Sequence, residues 1–169
     1  MNILIHARRK GAFINFSVHT VQKKMKIKNK YRKGVFCILY HGEKPEFLLL
    51  HRKLHWNGWE LCKGKRKNGE SAEETAKREI KEETGQKADK IINLHHSGRY
   101  DYGKKFQKKV GFRGQTYVLF IAGLKSKKIR IDKMEHDRFV WTDYSTALKL
   151  LEYPNQRKCL KIAMGHLKK

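Results

Sequence analysis

The sequence of 169 residues is poor in cysteine, in proline and in long apolar runs. Its three cysteines are an odd number without a C-x-x-C pair, which argues against a disulfide framework or a zinc site and predicts reduced, packed thiols in a cytosol-like compartment. No apolar run approaches the roughly 18 residues of a transmembrane helix, so we expect no membrane partner. Apolar residues make up 39% of the chain, against a usual ~45–50%, which favours one domain of ordinary size.

Acidic residues are also scarce, with 16 Asp and Glu against 40 Lys and Arg, a formal net charge of +24. A charge so far from zero destabilises the compact state by self-repulsion, which favours a polyanionic partner and makes RNA plausible. A lysine-rich composition that only serves solubility is the alternative. Charge alone does not separate RNA from a small polyphosphate.

Residues 1–33 contain ten basic residues and no acid. Three interpretations remain open: an extra strand with a basic arm, a nucleic-acid-binding tail, or a removable transit peptide. The β-prone segments Asn2–Ile5 and Ala12–Phe16 favour partial order. We therefore divide the chain into a basic N-terminal extension, 1–33, and a domain, 34–169. The predicted location is cytoplasmic, or an organelle matrix if the extension is a transit peptide.

The stretch Gly64–Gln86 places Glu79, Glu82 and Glu83 at spacings that share one face of a helix. Like charges so spaced destabilise an isolated helix by roughly 0.2–0.5 kcal/mol per pair. A divalent cation would reverse that sign, while the alternative is an ordinary solvated acidic face. A capping box of Ser71 and Glu74 and a glycine at position 85 predict where this helix begins and ends.

Seven residues of this stretch form the pattern G-x5-E-x7-R-E-apolar-x-E-E-x-G: Gly64, Glu70, Arg78, Glu79, Glu82, Glu83 and Gly85. The pattern resembles the Nudix box of the Nudix hydrolases. At background frequencies of roughly 6–7%, seven identities coincide by chance about once in 10⁸ trials. Gln86 departs from the family, which usually has an apolar residue there, and predicts an altered contact without loss of chemistry.

The resemblance implies an α/β (α+β) fold, a Nudix α/β/α sandwich with a mixed central sheet on which the box helix packs. The sequence predicts a hairpin of Gly34–Tyr40 and Glu46–His51 and one short strand over Trp59–Gly64. Further along it predicts a strand beginning at Ile91–Leu94, a basic loop from Lys104 to Arg113, and a central strand from Gln115 to Leu124. The chain then ends with a strand at Arg138–Trp141, a helix from Ser145 to Tyr153 and a last helix opened by Pro154.

The resemblance also implies a Mg²⁺ or Mn²⁺ site, because Nudix hydrolases use such ions for water attack at phosphorus. The implied metal ligands are Glu79, Glu82, Glu83 and the carbonyl of Gly64. Arg78 orients the carboxylates, and Glu70 is a weaker ligand or lies behind the ligands. Glu135 is the candidate general base, with a surface acid or a metal-bound hydroxide as the alternatives.

The candidate substrate contacts lie outside the box. Phosphate contacts are predicted for Arg52, Lys63, Lys108 and Lys109, and stacking of a purine for Tyr102 and Phe106. Gln115 joins this set because it ends an R-G-Q motif. Tyr100 and Tyr117 are expected in the sheet core instead, and the oligomeric state is expected to be a monomer or a small oligomer.

Two Nudix subgroups resemble different parts of the chain. Glu135-His136 and Trp141 resemble the E-H-x-x-x-x-W pattern of diadenosine tetraphosphate hydrolases, although Cys62 replaces the proline usual in their W-x-x-P-K-G entry. Arg99–Asp101 and Arg113–Gln115 resemble the R-Y-D and R-G-Q motifs of RNA 5′-pyrophosphohydrolases. These likenesses favour a nucleoside polyphosphate as substrate, slightly preferring a dinucleoside tetraphosphate over the 5′-triphosphate end of RNA. A Nudix-fold RNA-binding protein without catalysis is the third candidate.

Overall fold

A computed structural model of the protein describes residues 28–88 and 90–169. The strands are β1 (Lys28–His41), β2 (Glu46–Arg52), β3 (Gly58–Glu60), β4 (Cys62–Lys65), β5 (Ile91–Asp101), β6 (Phe112–Gly123) and β7 (His136–Thr142). The helices are α1 (Ala72–Thr84), α2 (Lys104–Val110), α3 (Tyr144–Leu150) and α4 (Pro154–Leu167). None of these helices is long and apolar enough to cross a membrane.

The strands form one mixed sheet around β1. β1 pairs in parallel with β6, and β6 pairs antiparallel with β5. On its other edge β1 pairs antiparallel first with β4 and then with β2, which also binds β3 and β7. Because β1 is flanked on both edges and covered on both faces, its apolar run is continuous and does not alternate.

The two faces of the sheet carry separate apolar cores. Phe36 and Ile38 point toward α3 and α4, where they meet Leu151 and Leu160. Cys37 and Leu39 point the other way, toward Ala76 and Ile80 of α1. The resulting helix–sheet–helix layers confirm the predicted fold class, and Cys37, Cys62 and Cys159 are buried free thiols, as expected.

Helix α1 has the predicted boundaries. The Ser71 hydroxyl accepts from the Glu74 backbone N–H at 3.1 Å, and the Glu74 carboxylate accepts from the Ser71 N–H at 2.7 Å. Gly85 closes the helix in the left-handed region, with φ of 73°. The alanine positions and Ile80 dock on the sheet, so α1 is held firmly enough to carry a site.

Three local predictions were wrong. Trp59–Gly64 is not one strand, because the chain divides at Leu61 into β3, which pairs with β2, and β4, which pairs with β1. The basic loop over 104–113 contains α2, since Lys104–Val110 has no glycine or proline and Gly111 ends it at φ of 72°. α3 ends at Leu150, where Leu151 turns to extended backbone and its carbonyl accepts from Arg157.

The N-terminal predictions remain open. Residues 1–27 lie outside the described residues, and so do the strands predicted at Asn2–Ile5 and Ala12–Phe16. β1 already begins at Lys28, ahead of the predicted boundary at position 34. The division into an extension and a domain therefore stays a prediction.

Candidate active site

Arg78, in the middle of α1, ties the helix to the loop before it. Its Nε donates to Glu70 Oε1 at 2.6 Å, and its Nη1 donates to Glu79 at 2.7 Å and to Glu82 at 2.8 Å. Arg78 thus contacts three carboxylates, in agreement with the expectation that it orients them. The hydrogen bond from Arg78 is also the main reason that the pKa of Glu70 is lowered to about 2. Glu70 therefore lies behind α1 as an anchor of Arg78.

The three box carboxylates do not share one environment. Glu79 and Glu83 are only 8% and 4% exposed, whereas the side chain of Glu82 is 51% exposed. Burial raises the pKa of Glu79, and it raises the pKa of Glu83 well above its ordinary value. A negative charge on this inner pair is therefore poorly solvated by water, and a bound cation would stabilise it.

Gly64 lies directly under this inner pair. A Cβ at position 64 would overlap the Glu79 carboxylate, so glycine is what lets Glu79 approach the backbone of β4. On the neighbouring residue of β4, the Lys63 N–H donates to Glu83 Oε2 at 3.2 Å. The Gly64 backbone and both buried carboxylates therefore meet at one place.

Gln115 reaches the same place from β6. A Cβ at Gly34 would overlap both the Gln115 amide and the Gly64 carbonyl oxygen, so these two groups lie side by side over Gly34. The Tyr102 hydroxyl donates to Gln115 Oε1 at 2.8 Å, and the rings of Tyr102 and Phe106 meet edge to face at 5.0 Å. The structure thus places Gln115 next to Gly64, Tyr102 on Gln115 and Phe106 on Tyr102, so the predicted substrate contacts form one continuous group.

The side chains of Lys108 and Lys109 are not buried in the site. Both are exposed in the last turn of α2, whose buried residue is Gln107. Gln107 donates to the Tyr102 carbonyl at 2.7 Å, so α2 is fastened beside Tyr102. The two lysines therefore contribute positive charge near the pocket, while their direct contact with a phosphate stays a prediction.

Glu60 is a site residue that sequence reasoning missed. It is fully buried, and its Oε1 accepts from Arg52 at 3.0 Å and from Lys63 at 2.9 Å, with His136 Nε2 at 3.2 Å. Burial alone would raise its pKa, but Lys63, His136 and Arg52 together lower it to about 2. The sequence did contain a signal for Glu60, because this carboxylate stands between the apolar residues Trp59 and Leu61 of the predicted strand and three residues before Lys63.

Glu135 lies at the edge of this second cluster. Its Oε2 is 2.8 Å from Arg52 Nη1, and its side chain is 39% exposed. Arg52 is thus shared by Glu60 and Glu135, and those carboxylates raise its pKa against the effect of burial. Glu135 is consequently held toward the site by an ion pair and is not a free surface acid.

The Nudix domain model matches residues 30–161 of the chain. The chain belongs to the Nudix family. It is an enzyme, a pyrophosphohydrolase of that family. The match includes every box residue described above and extends from β1 into α4.

Individual relatives agree with this assignment. The chain is 34% identical over 114 residues to an RNA pyrophosphohydrolase from a Nitratiruptor species, which covers 64% of the chain and 74% of the relative. It is 31% identical over 121 residues to an RNA pyrophosphohydrolase from a Sulfurovum species, covering 68% and 77%. Among solved structures, a C. elegans Ap4A hydrolase complex matches with a TM-score of 0.69 at 22% identity, covering 81% of the chain and 98% of that chain. At that identity the likeness shows the fold alone.

Nudix hydrolases generally use divalent metal ions, and the site has the donors for one. No three His, Cys, Asp or Glu side chains within residues 28–88 and 90–169 are already grouped around a point. Glu70, Glu79 and Glu82 are instead paired with the guanidinium of Arg78. The available donors are carboxylates and the Gly64 carbonyl, which are the hard oxygen ligands that Mg²⁺ and Mn²⁺ prefer. The raised pKa values of Glu79 and Glu83 mark where a cation would stabilise charge.

Two departures from the Nudix pattern have structural explanations. Gln86 makes the altered contact that was expected, since its amide donates to the carbonyls of Ser126 at 2.7 Å and Lys128 at 2.9 Å. Cys62 stands across from Cys37 in the β1–β4 register and is buried with it. Contact with Cys37 and burial raise the pKa of the Cys62 thiol, so it packs as a neutral group.

Proposed function

We propose that this Nudix enzyme removes pyrophosphate from the 5′-triphosphate end of RNA. The observation that carries the proposal is the position of Gln115, from the segment that resembles RNA 5′-pyrophosphohydrolases: its amide lies beside the Gly64 carbonyl over Gly34, and it accepts from the Tyr102 hydroxyl. Two relatives above 30% identity are RNA pyrophosphohydrolases, which supports the same substrate. The net charge of +24 favours a polyanion of this kind.

Two of the residues that favoured a dinucleotide, His136 and Trp141, make contacts that stabilise the fold. His136 is buried against Glu60, and the indole N–H of Trp141 donates to the Lys127 carbonyl at 3.0 Å. Both contacts secure β7 and the segments packed against it. The His and Trp of the E-H-x-x-x-x-W pattern therefore have packing roles that do not depend on the substrate, and Glu135 is the member of the pattern that we place in the reaction.

In the proposed reaction a water oxygen forms a bond to phosphorus, the bond to the departing pyrophosphate oxygen breaks, and RNA with a 5′-monophosphate remains. Glu79, Glu82, Glu83 and the Gly64 carbonyl would hold a divalent cation, which would neutralise the polyphosphate charge and align the reacting oxygens. Arg52 and Lys63 bind phosphate oxygens, and Tyr102 and Phe106 stack against the first base. Glu135 accepts the proton of the attacking water.

A dinucleoside tetraphosphate remains the second candidate substrate. The edge-to-face pair of Tyr102 and Phe106 offers an aromatic face to an adenine as well as to the first base of an RNA. Hydrolysis of diadenosine tetraphosphate would give ATP and AMP. A binding protein without catalysis is the weaker alternative, because every carboxylate of the box is present.

The deciding experiment incubates the protein with Mg²⁺ or Mn²⁺ and three substrates: triphosphorylated RNA, diadenosine tetraphosphate and nucleoside triphosphates. We expect pyrophosphate or phosphate from the RNA at a kcat/KM at least tenfold above the others. ATP and AMP from the dinucleotide as the main products would favour the second candidate. No turnover of any substrate would favour a binding protein, and Glu83→Gln serves as the inactive control.

A further inference from the structure

A cleft of about 690 Å³ lies on the sheet beside the box loop, outside the pocket of Tyr102 and Gln115. Its walls come from the start of β1, the start of β6 and the loop over 65–70. Five of its lining residues are Lys or Arg and one is acidic. Its volume falls within the range of sites that bind small ligands or parts of larger ones.

The positive charge of this cleft is poorly offset. Its acid, Glu70, is already bound by Arg78 and Thr75. In the part of the chain that the structure describes, neither Lys33 nor Lys65 has a carboxylate within ion-pair distance. Both lysines are exposed. Unpaired lysines along a groove are what the binding of successive phosphates requires.

The same cleft presents two aromatic rings whose positions are fixed. The guanidinium of Arg32 lies 5.2 Å from the centre of the Phe112 ring. The guanidinium carbons of Arg99 and Arg113 lie 5.5 and 5.8 Å from the centre of the Tyr31 ring, and the Tyr31 hydroxyl donates to Asp101 at 2.6 Å. A base stacks on a ring face that these arginines leave open or displaces one of them, and the fixed ring positions keep the cost in side-chain entropy low.

The cleft also adjoins both parts of the active site. Arg78, which holds Glu79 and Glu82, donates through Nη2 to the carbonyl of Lys65 at 2.9 Å. Arg32 lies close enough to the Tyr102 hydroxyl to act against the rise in its pKa that burial causes. Arg32 also contacts Phe112, so the cleft and Tyr102 share this arginine.

We propose that this cleft binds the single-stranded RNA that follows the triphosphorylated nucleotide, with Lys33 and Lys65 on phosphates and Phe112 and Tyr31 under bases. This inference rests on the proposed function, since it names where the rest of that substrate lies. Stacking on two rings requires unpaired bases, so the cleft takes a single strand and not a duplex.

The test measures fluorescence anisotropy of a labelled ten-nucleotide RNA with a 5′-hydroxyl end, in EDTA, binding to the full chain. The missing triphosphate and metal keep this measurement independent of catalysis. The charge variant is Lys33→Gln with Lys65→Gln, and the stacking variant is Tyr31→Leu with Phe112→Leu. Lys158→Gln with Lys161→Gln, on exposed residues of α4, removes the same charge elsewhere.

We expect each cleft variant to bind the RNA at least tenfold more weakly than the wild type, while the α4 variant changes binding less than twofold. The charge variant should also lower the slope of log K against log salt by about 1.4, or about 0.7 for each lost phosphate contact. The stacking variant should leave that slope unchanged. The inference would be overturned if the α4 variant lost as much RNA affinity as the cleft variants. It would also be overturned if both cleft variants bound the RNA as tightly as the wild type, or if a duplex RNA bound more tightly than the single strand.

A hydrolysis assay distinguishes a failure of this inference from a failure of the proposed function. The wild type and the cleft variants are assayed on triphosphorylated RNA of two and of ten nucleotides. A KM that rises at least fivefold for the longer RNA in the cleft variants supports the inference. Turnover of both RNAs with unchanged KM overturns the cleft and leaves the function intact. Failure of the wild type to hydrolyse either RNA, with binding as expected, overturns the function alone.

Discussion

Two ionic clusters lie on either side of Gly64 and are built in opposite ways. In one, a single cation, Arg78, holds the carboxylates of Glu70, Glu79 and Glu82. In the other, a single buried carboxylate, Glu60, holds Arg52, Lys63 and His136. The first cluster gathers carboxylates around one cation, and together with the neighbouring Glu83 it is called the negative cluster. The second gathers Arg52 and Lys63 around Glu60 and is called the positive cluster, with Glu135 at its edge as a second partner of Arg52. This arrangement fits the proposal that metal and phosphate, which need opposite partners, bind on separate sides of one site.

The largest effect is expected from the negative cluster. Glu83→Gln should lower kcat by at least about 10³-fold, because it removes a buried carboxylate from the metal side. Since burial raises the pKa of Glu83, its ionised form destabilises the fold, so the melting temperature in metal-free buffer should not fall. Glu73→Gln, an exposed position on the same helix, is the matched control. If Glu83→Gln had wild-type activity, the assignment of Glu83 as a metal ligand would be wrong.

The positive cluster predicts a loss of stability when its central carboxylate is neutralised. The pKa of Glu60 is lowered from 4.5 to about 2, so its stabilising effect is present above pH 4.5 and lost as pH falls toward 2. The full difference between these two pKa values corresponds to about 3 kcal/mol. Urea unfolding at pH 6 should show Glu60→Gln less stable than the wild type by about this amount, with a smaller gap at pH 3. A gap that is independent of pH would contradict the ionised state of Glu60.

A variant of Glu135 tests whether the positive cluster also takes part in the hydrolysis. Glu135→Gln should lower kcat by about 10²-fold, less than Glu83→Gln, since it removes a general base and leaves the metal side intact. Glu43→Gln, an exposed acid in the β1–β2 turn, is the control. A kcat of Glu135→Gln within twofold of the wild type would favour activation of water without Glu135.

The smallest effect concerns how α1 is held. Ser71→Ala removes the hydroxyl that caps the helix and should lower the free energy of unfolding by about 1 kcal/mol. Because Arg78 still ties the helix to the loop, kcat should change less than twofold. A large fall in kcat would mean that the cap, and not Arg78, positions the carboxylates.

The negative cluster could be predicted from sequence, and the positive cluster could not. Glu79, Glu82, Glu83 and Arg78 are close in sequence, and the geometry of one helix fixes their relation. Glu60, Arg52 and His136 meet only because β3 and β7 both pair with β2, which no local pattern reveals. The same limit explains α2, whose lysines suggested a loop although helix propensity and Gly111 were sufficient for a short helix.

The guanidinium of Arg78 has five N–H groups, and the structure gives it five hydrogen bonds: two to Glu70 and one each to Glu79, Glu82 and the Lys65 carbonyl. All five donors of Arg78 are therefore used within the protein. Arg78 has no donor left for a substrate phosphate, and its role is to link the helix to the loop. Lysine, with three donors on a single nitrogen, would keep the charge and still leave at least two of those acceptors without their partner.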